Sequence, residues 1–154
     1  MFNRKQSFLG NDGESLFFWG AQQTGKSTLL KTLFHNSLYI DLLKTDLYYR
    51  FQKQPSLLRE IVQASKNKLV IIDEIQKIPM LLDEVHWLIE NLNIQFILSG
   101  SSSRKILRSG INLLGGRALR YELYPLVSNE IPEFNLQKAL NNGLLPRHYL
   151  AALS

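Results

Sequence analysis

The sequence predicts an α/β protein built on a mostly parallel five-stranded sheet with helices on both faces, and three observations carry that prediction. Short apolar runs alternate with amphipathic stretches, the pattern of strands covered by helices. The segment Gly20-Ala21-Gln22-Gln23-Thr24-Gly25-Lys26-Ser27, a complete G-x-x-x-x-G-K-[ST], stands between the apolar run Leu16 to Trp19 and a helix-like stretch that begins at Lys26. Leu69 to Ile72 form a second apolar run that ends in Asp73 and Glu74, as a buried parallel strand does when acidic groups sit at its C-terminal tip.

The elements follow in order. Leu16 to Trp19 is the first strand, and Leu29, Leu30, Leu33 and Phe34 mark one face of the helix after the glycine-rich turn. Leu38 to Asp41 reads as a short strand. Leu57, Leu58, Ile61 and Val62 recur at helical spacing with Arg59, Glu60 and Gln63 opposite, so Pro55 to Lys66 reads as a surface helix. Lys68 to Asp73 is the acidic strand. Pro79 suits the first turn of a helix whose buried stripe is Leu82, Val85, Leu88, Ile89 and Leu92. Gln95 to Ser99 is the fourth strand, and Ser101 is placed to cap a helix running towards Arg108. Gly115-Gly116 interrupts before a fifth strand at Ala118 to Tyr124, and Asn141-Asn142-Gly143 reads as a turn.

The residue types of the glycine-rich turn suit a ligand that packs several negative oxygens against a short backbone segment. Gly20 and Gly25 let the chain turn and come close, while backbone N–H groups and the positive end of the following helix face the anion. Lys26 would reach the β- and γ-phosphates, and Ser27 would offer a hydroxyl to Mg²⁺, a hard ion that takes oxygen ligands. The expected phosphate-binding set comprises Gly20, Ala21, Gln22, Gln23, Thr24, Gly25, Lys26, Ser27 and Thr28. Asp73 would hold the metal through its water shell and Glu74 would polarise an attacking water, which favours hydrolysis over transfer to an acceptor. A strand ending in Ser99 and lying between the other two would bring a polar tip beside the γ-phosphate; the alternative for Ser99 is a helix cap. Asn67-Lys68 and Lys44-Thr45-Asp46 do not complete the Asn-Lys-x-Asp segment of guanine recognition, so ATP is expected by elimination.

With 154 residues, 45% of them hydrophobic, the chain can form one domain with a real core. No apolar run approaches the roughly 18 residues of a membrane span, and Arg4-Lys5 is not followed by a secretory apolar region, so a cytoplasmic protein without a membrane partner is expected. The absence of cysteine excludes thiolate metal sites, disulfides and cysteine nucleophiles. His86 with Asp83 or Glu90 has helical spacing for a metal pair but lacks a third ligand. The net charge of +5, with Arg104, Lys105, Arg108, Arg117 and Arg120 close in sequence, would suit a nucleic acid, yet a phosphate site collects cations by itself and no specific nucleic-acid motif is present.

These residues resemble the AAA+-type phosphate-loop ATPase domain of prokaryotic ATP-binding proteins that usually carry a C-terminal domain of unknown function. The resemblance covers Phe17 to Glu130 and rests on Gly20 to Ser27, Asp73-Glu74-Ile75-Gln76 with Pro79 and Leu81-Leu82, Leu98-Ser99-Gly100-Ser101-Ser102, and Gly116-Arg117 with Pro125-Leu126 and Glu130. It implies the three-layer sandwich of phosphate-loop NTPases with strand order 5-1-4-3-2, ATP and Mg²⁺ at the strand ends, and Glu74 as hydrolytic base. An arginine just before the fifth strand, Arg117 with Arg108 as substitute, would reach a γ-phosphate, often that of a neighbouring subunit; the alternative for Arg117 is a surface ion pair with Glu122. Gln22 stands where this group commonly has arginine. On this reading residues 1–130 are the ATPase core, and residues 131–154 begin a connection to a lid and C-terminal domain that the chain does not reach. A motor or switch is expected, with a homo-oligomer or protein partner open. The alternatives are a non-catalytic nucleotide-dependent interaction module and a nucleic-acid-stimulated ATPase.

Overall fold

The structure, a computed structural model, describes residues 2, 4, 13–108, 114–116 and 118–150. The elements run β1 (Leu16–Trp19), α1 (Lys26–Leu33), β2 (Leu38–Asp41), α2 (Thr45–Lys53), α3 (Leu57–Ser65), β3 (Leu69–Asp73), α4 (Leu81–Leu92), β4 (Gln95–Gly100), α5 (Arg104–Arg108), β5 (Leu119–Glu122), α6 (Leu136–Asn142) and α7 (Pro146–Leu150). The five strands form one sheet in the order β2-β3-β4-β1-β5, every pair parallel. Read from the other edge, this is the order 5-1-4-3-2 that the resemblance implies.

That order fixes where the helices lie. The chain steps from β1 across the sheet to the edge strand β2, then returns through β3 and β4 and passes over β1 to β5. Parallel crossovers are right-handed, so reversing the direction of travel moves the connecting helices to the opposite face. The packing agrees. Leu29 and Leu30 of α1 share one core cluster with Leu16, Phe18, Ile71 and Ile97. Phe51 of α2, Leu58 and Val62 of α3, Val85 and Leu88 of α4 and Ile106 of α5 share another with Phe17, Trp19, Val70, Ile72, Phe96 and Leu98. Successive strand residues thus alternate between two buried faces, which is why the strands read as continuous apolar runs. A third, smaller cluster joins Leu126, Ile131 and Tyr149, with Phe2 and Ala139 against it.

Three readings of the sequence need correction. Helix α2 was not foreseen, because of its residues only Phe51 is fully buried and its apolar stripe is too narrow to stand out. Asn141-Asn142-Gly143 is not a free turn: α6 runs through Asn142, started by the Asn135 side chain that accepts from Lys138 N, and Gly143 at φ 78° ends it. Ser101 does not cap α5. The amide of Arg104 donates to Ser102 Oγ instead (3.2 Å), and Ser101 Oγ accepts from Gln76. Among the described residues no helix is long and apolar enough to cross a membrane.

Gly20 leaves β1 between the tips of β4 and β5, and its amide donates to Gly100 O (3.2 Å). A Cβ there would lie 2.5 Å from Leu123 O, a backbone atom that no rotamer change can move. Gly20→Ala is therefore expected to destabilise the fold by about 1–3 kcal/mol, read from the urea midpoint. An unshifted midpoint would show that β5 yields without cost.

Candidate functional site

The turn after β1 is shaped by its own backbone and by Lys26. Gln23 at φ 64° and Gly25 at φ 90° curl the loop into the start of α1, and the Thr24 hydroxyl, fully buried, donates to Ala21 O (2.8 Å). Among the described residues nothing lies within 4 Å of where a Cβ of Gly25 would stand, so it is the left-handed conformation that calls for glycine. The Lys26 ammonium donates to Gly20 O (2.6 Å) and Ala21 O (2.9 Å) across the mouth of the turn. Its burial lowers the Lys26 pKa from the usual lysine value, with Glu74 and then Asp73 opposing that shift.

Strand alternation places the acidic tip. Asp73 follows Ile71 by two residues and Ser99 follows Ile97 by two, so both polar side chains project on the face that α1 covers. The Asp73 carboxylate is almost fully buried. Its Oδ2 accepts from Ser27 Oγ (2.5 Å) and from the Tyr39 hydroxyl (2.5 Å). Its Oδ1 accepts from Ser99 Oγ and from the Glu74 amide (3.1 Å). Four donors from α1, β2, β4 and the turn beyond β3 converge on one carboxylate, the pairing that a buried charge requires. Burial, together with bonding to Asp73, pushes the Tyr39 phenol well above its usual pKa.

Glu74 departs from the strand. Its backbone takes the left-handed conformation (φ 63°, ψ 41°), uncommon for a residue with a Cβ, and its side chain lines the cavity in front of the glycine-rich turn. Gln76 Nε2 donates to Glu74 Oε2 and to Ser101 Oγ (3.1 Å), tying the two strand tips together. A Cβ at Gly100 would collide with Gln76 Oε1, so glycine at the tip of β4 makes room for this amide.

The cavity holds about 570 Å³ and is lined by Gln22, Gln23, Gly25, Lys26, Ser27, Thr28, Leu43, Glu74, Pro146 and Arg147. A neighbouring cavity of about 340 Å³ shares Gly25, Thr28 and Pro146 with it and adds Phe2, Arg4, Leu29, Leu33 and Leu150. Of the residues expected from the sequence, Lys26, Ser27, Asp73, Glu74 and Ser99 come together here, with Ser99 turned to Asp73 and not to a helix end. Arg108 ends α5 exposed and does not line either cavity. Arg117 lies outside the described residues. Tyr39 and Arg147 are not among the residues the sequence singles out, and Gln76 stands there only inside the motif that carries the resemblance, with no role of its own. A tyrosine two places before the end of an edge strand is the one of these that a pairing register would have flagged.

The AAA domain family profile matches residues 12–132. No curated protein sequence matches the chain. Among solved structures, a replication initiator DnaA bound to AMPPCP and single-stranded DNA superposes with a TM-score of 0.60 at 15% identity, over 92% of this chain and 54% of that one. The chain thus spans about half the length of that relative, and likeness at such low identity establishes the fold. A DNA replication initiation factor is similar at a TM-score of 0.47 and 17% identity, over 75% of this chain and 41% of that one.

Asp73→Ala would strip Ser99, which is fully buried, of its acceptor. The expected loss is about 1–3 kcal/mol of unfolding free energy by urea titration. An unchanged midpoint would mean that the cost of burying the carboxylate cancels what its four donors return.

Proposed function

The chain belongs to the AAA domain family, and from that premise we propose that it binds ATP through Gly20 to Thr28 and hydrolyses it with Mg²⁺, as the nucleotide-driven part of a motor or switch. One observation carries the reading: Lys26, Ser27 and Glu74 face a single cavity while Asp73, behind them, is bonded to Ser27. The donor set fits the metal, since Ser27, Asp73 and Glu74 offer only oxygens, the ligands a hard divalent cation takes. Among the described residues no cluster of three or more His, Cys, Asp or Glu could hold a metal by itself.

Each residue then has a task. The Lys26 ammonium exchanges its two carbonyl partners for phosphate oxygens, and the loop amides and the start of α1 take the rest of the charge. Ser27 and Asp73 would hold Mg²⁺, which supplies charge neutralisation at the phosphates. Glu74, facing the cavity, orients a water and accepts its proton, and Gln76 fixes where that carboxylate starts. Ser99 steadies Asp73. Arg147, brought to the cavity by α7, is a cation for the phosphate chain from within the same subunit.

The neighbouring cavity suits the base. Phe2, Leu29, Leu33, Pro146 and Leu150 give apolar walls, and Arg4, whose guanidinium pairs with Glu130 (3.4 Å) and donates to Tyr124 O, adds a polar group to the lining. Adenine remains the base favoured by elimination.

Glu74→Gln is expected to leave Mg·ATP affinity within about twofold while slowing single-turnover phosphate release by about 100-fold or more, the usual range for a lost general base. Unchanged release would remove Glu74 as the base. Lys26→Ala is expected to abolish measurable ATP binding by calorimetry, and wild-type protein that binds no ATP would overturn the reading as a whole.

A further inference from the structure

We propose that Tyr39 is a positioning residue for the metal-holding carboxylate: its phenol fixes Asp73 Oδ2 beside Ser27 and so sets how tightly a divalent cation joins the protein to the nucleotide. The inference rests on the ATP reading above and adds to it a residue from the edge strand β2 that no sequence motif contains.

The geometry is specific to a tyrosine. In the β2–β3 register Tyr39 pairs with Ile71 and Asp41 with Asp73, so the phenol reaches a carboxylate two residues further along the neighbouring strand. That step is about 6.6 Å of parallel strand, which a long rigid ring spans and a short hydroxyl side chain does not. The ring is half-buried against the α1-side core, and the Lys31 ammonium sits over it, 4.8 Å from its centroid. Packing against that core and the cation over the ring hold the hydroxyl where Asp73 Oδ2 meets it at 2.5 Å.

The two donors on Oδ2 are not equivalent. Ser27 can keep donating its proton to Asp73 while its oxygen turns a lone pair to a metal, so its position changes with the ligand. Tyr39 has no such second task. It holds Oδ2 while Ser99 and the Glu74 amide hold Oδ1, and the carboxylate plane is thereby fixed from both sides. Without the phenol, Oδ2 would be held by the one donor that the metal also engages.

The test compares ATP affinity in excess EDTA and in millimolar Mg²⁺ for wild type and Tyr39→Phe, by calorimetry. The gain in affinity that Mg²⁺ gives is expected to shrink about five- to tenfold in Tyr39→Phe, the worth of one hydrogen bond to a charged group, while affinity in EDTA stays within about twofold. In a Ser27→Ala background, where that gain is already lost, Tyr39→Phe is expected to add nothing further. A Tyr39→Phe protein that keeps the full Mg²⁺ gain, or loses the same factor with and without Mg²⁺ as a packing residue would, overturns the inference alone. Wild-type protein that binds ATP in neither condition overturns the ATP reading and this inference with it.

Discussion

One buried carboxylate organises the ligand-facing end of the sheet. Asp73 sits above an apolar layer of Phe18, Ile71 and Ile97 and collects donors from α1, β2, β4 and the turn after β3. Taking a carboxylate out of water costs several kcal/mol, and hydrogen bonds to a charged group return about 1.5–3 kcal/mol each, so the group is tolerable only with nearly all its acceptor positions filled. The requirement runs both ways. Because Asp73 needs four partners, four separate elements are held in fixed relation at the end of the sheet where Lys26 and Glu74 also lie.

Topology explains why such an end exists. The chain reverses direction after β2, helices pass to the other face, and the loops following β1, β3 and β4 all emerge at the same C-terminal end of the parallel strands. Strand periodicity then sends Asp73 to the α1 side. Had Glu74 continued the strand it would have faced the opposite, fully apolar layer of Val70, Ile72 and Phe96. Its left-handed backbone breaks the alternation and brings the second carboxylate to the cavity instead. Two adjacent acidic residues acquire different surroundings from a single backbone departure, one sealed among donors and the other open to the cavity.

The sequence made legible what depends on local chemistry. The glycine-rich turn, the acidic strand and four of the five strands stand within a residue of their expected bounds, since each is a short apolar run ended by a turn or a charge. What escaped depends on register or on distance along the chain. Tyr39 reads as an ordinary strand residue until β2 is paired with β3. Gln76 reads as a polar residue after the acidic pair until β4 lies beside it with a glycine at its tip. Arg147 is separated from Lys26 by most of the chain, and its helix of five residues gives too short a pattern to be seen. Helix α2 was lost for the related reason that one buried phenylalanine makes a faint stripe.

The contacts of the two ionisable groups at the cavity bear on what can displace them. Lys26 already has two carbonyl acceptors and Glu74 an amide donor, so neither is an unsatisfied charge waiting for any polar molecule. A neutral ligand would gain little by replacing such partners, because an exchange of one hydrogen bond for another is close to neutral. A polyanion differs. It replaces dipoles by full charges facing an ammonium in a poorly hydrated turn, where the Coulomb attraction is several times larger than in water. The internal bonds that hold Lys26 thus set a cost that a neutral molecule would not recover and a polyanion would.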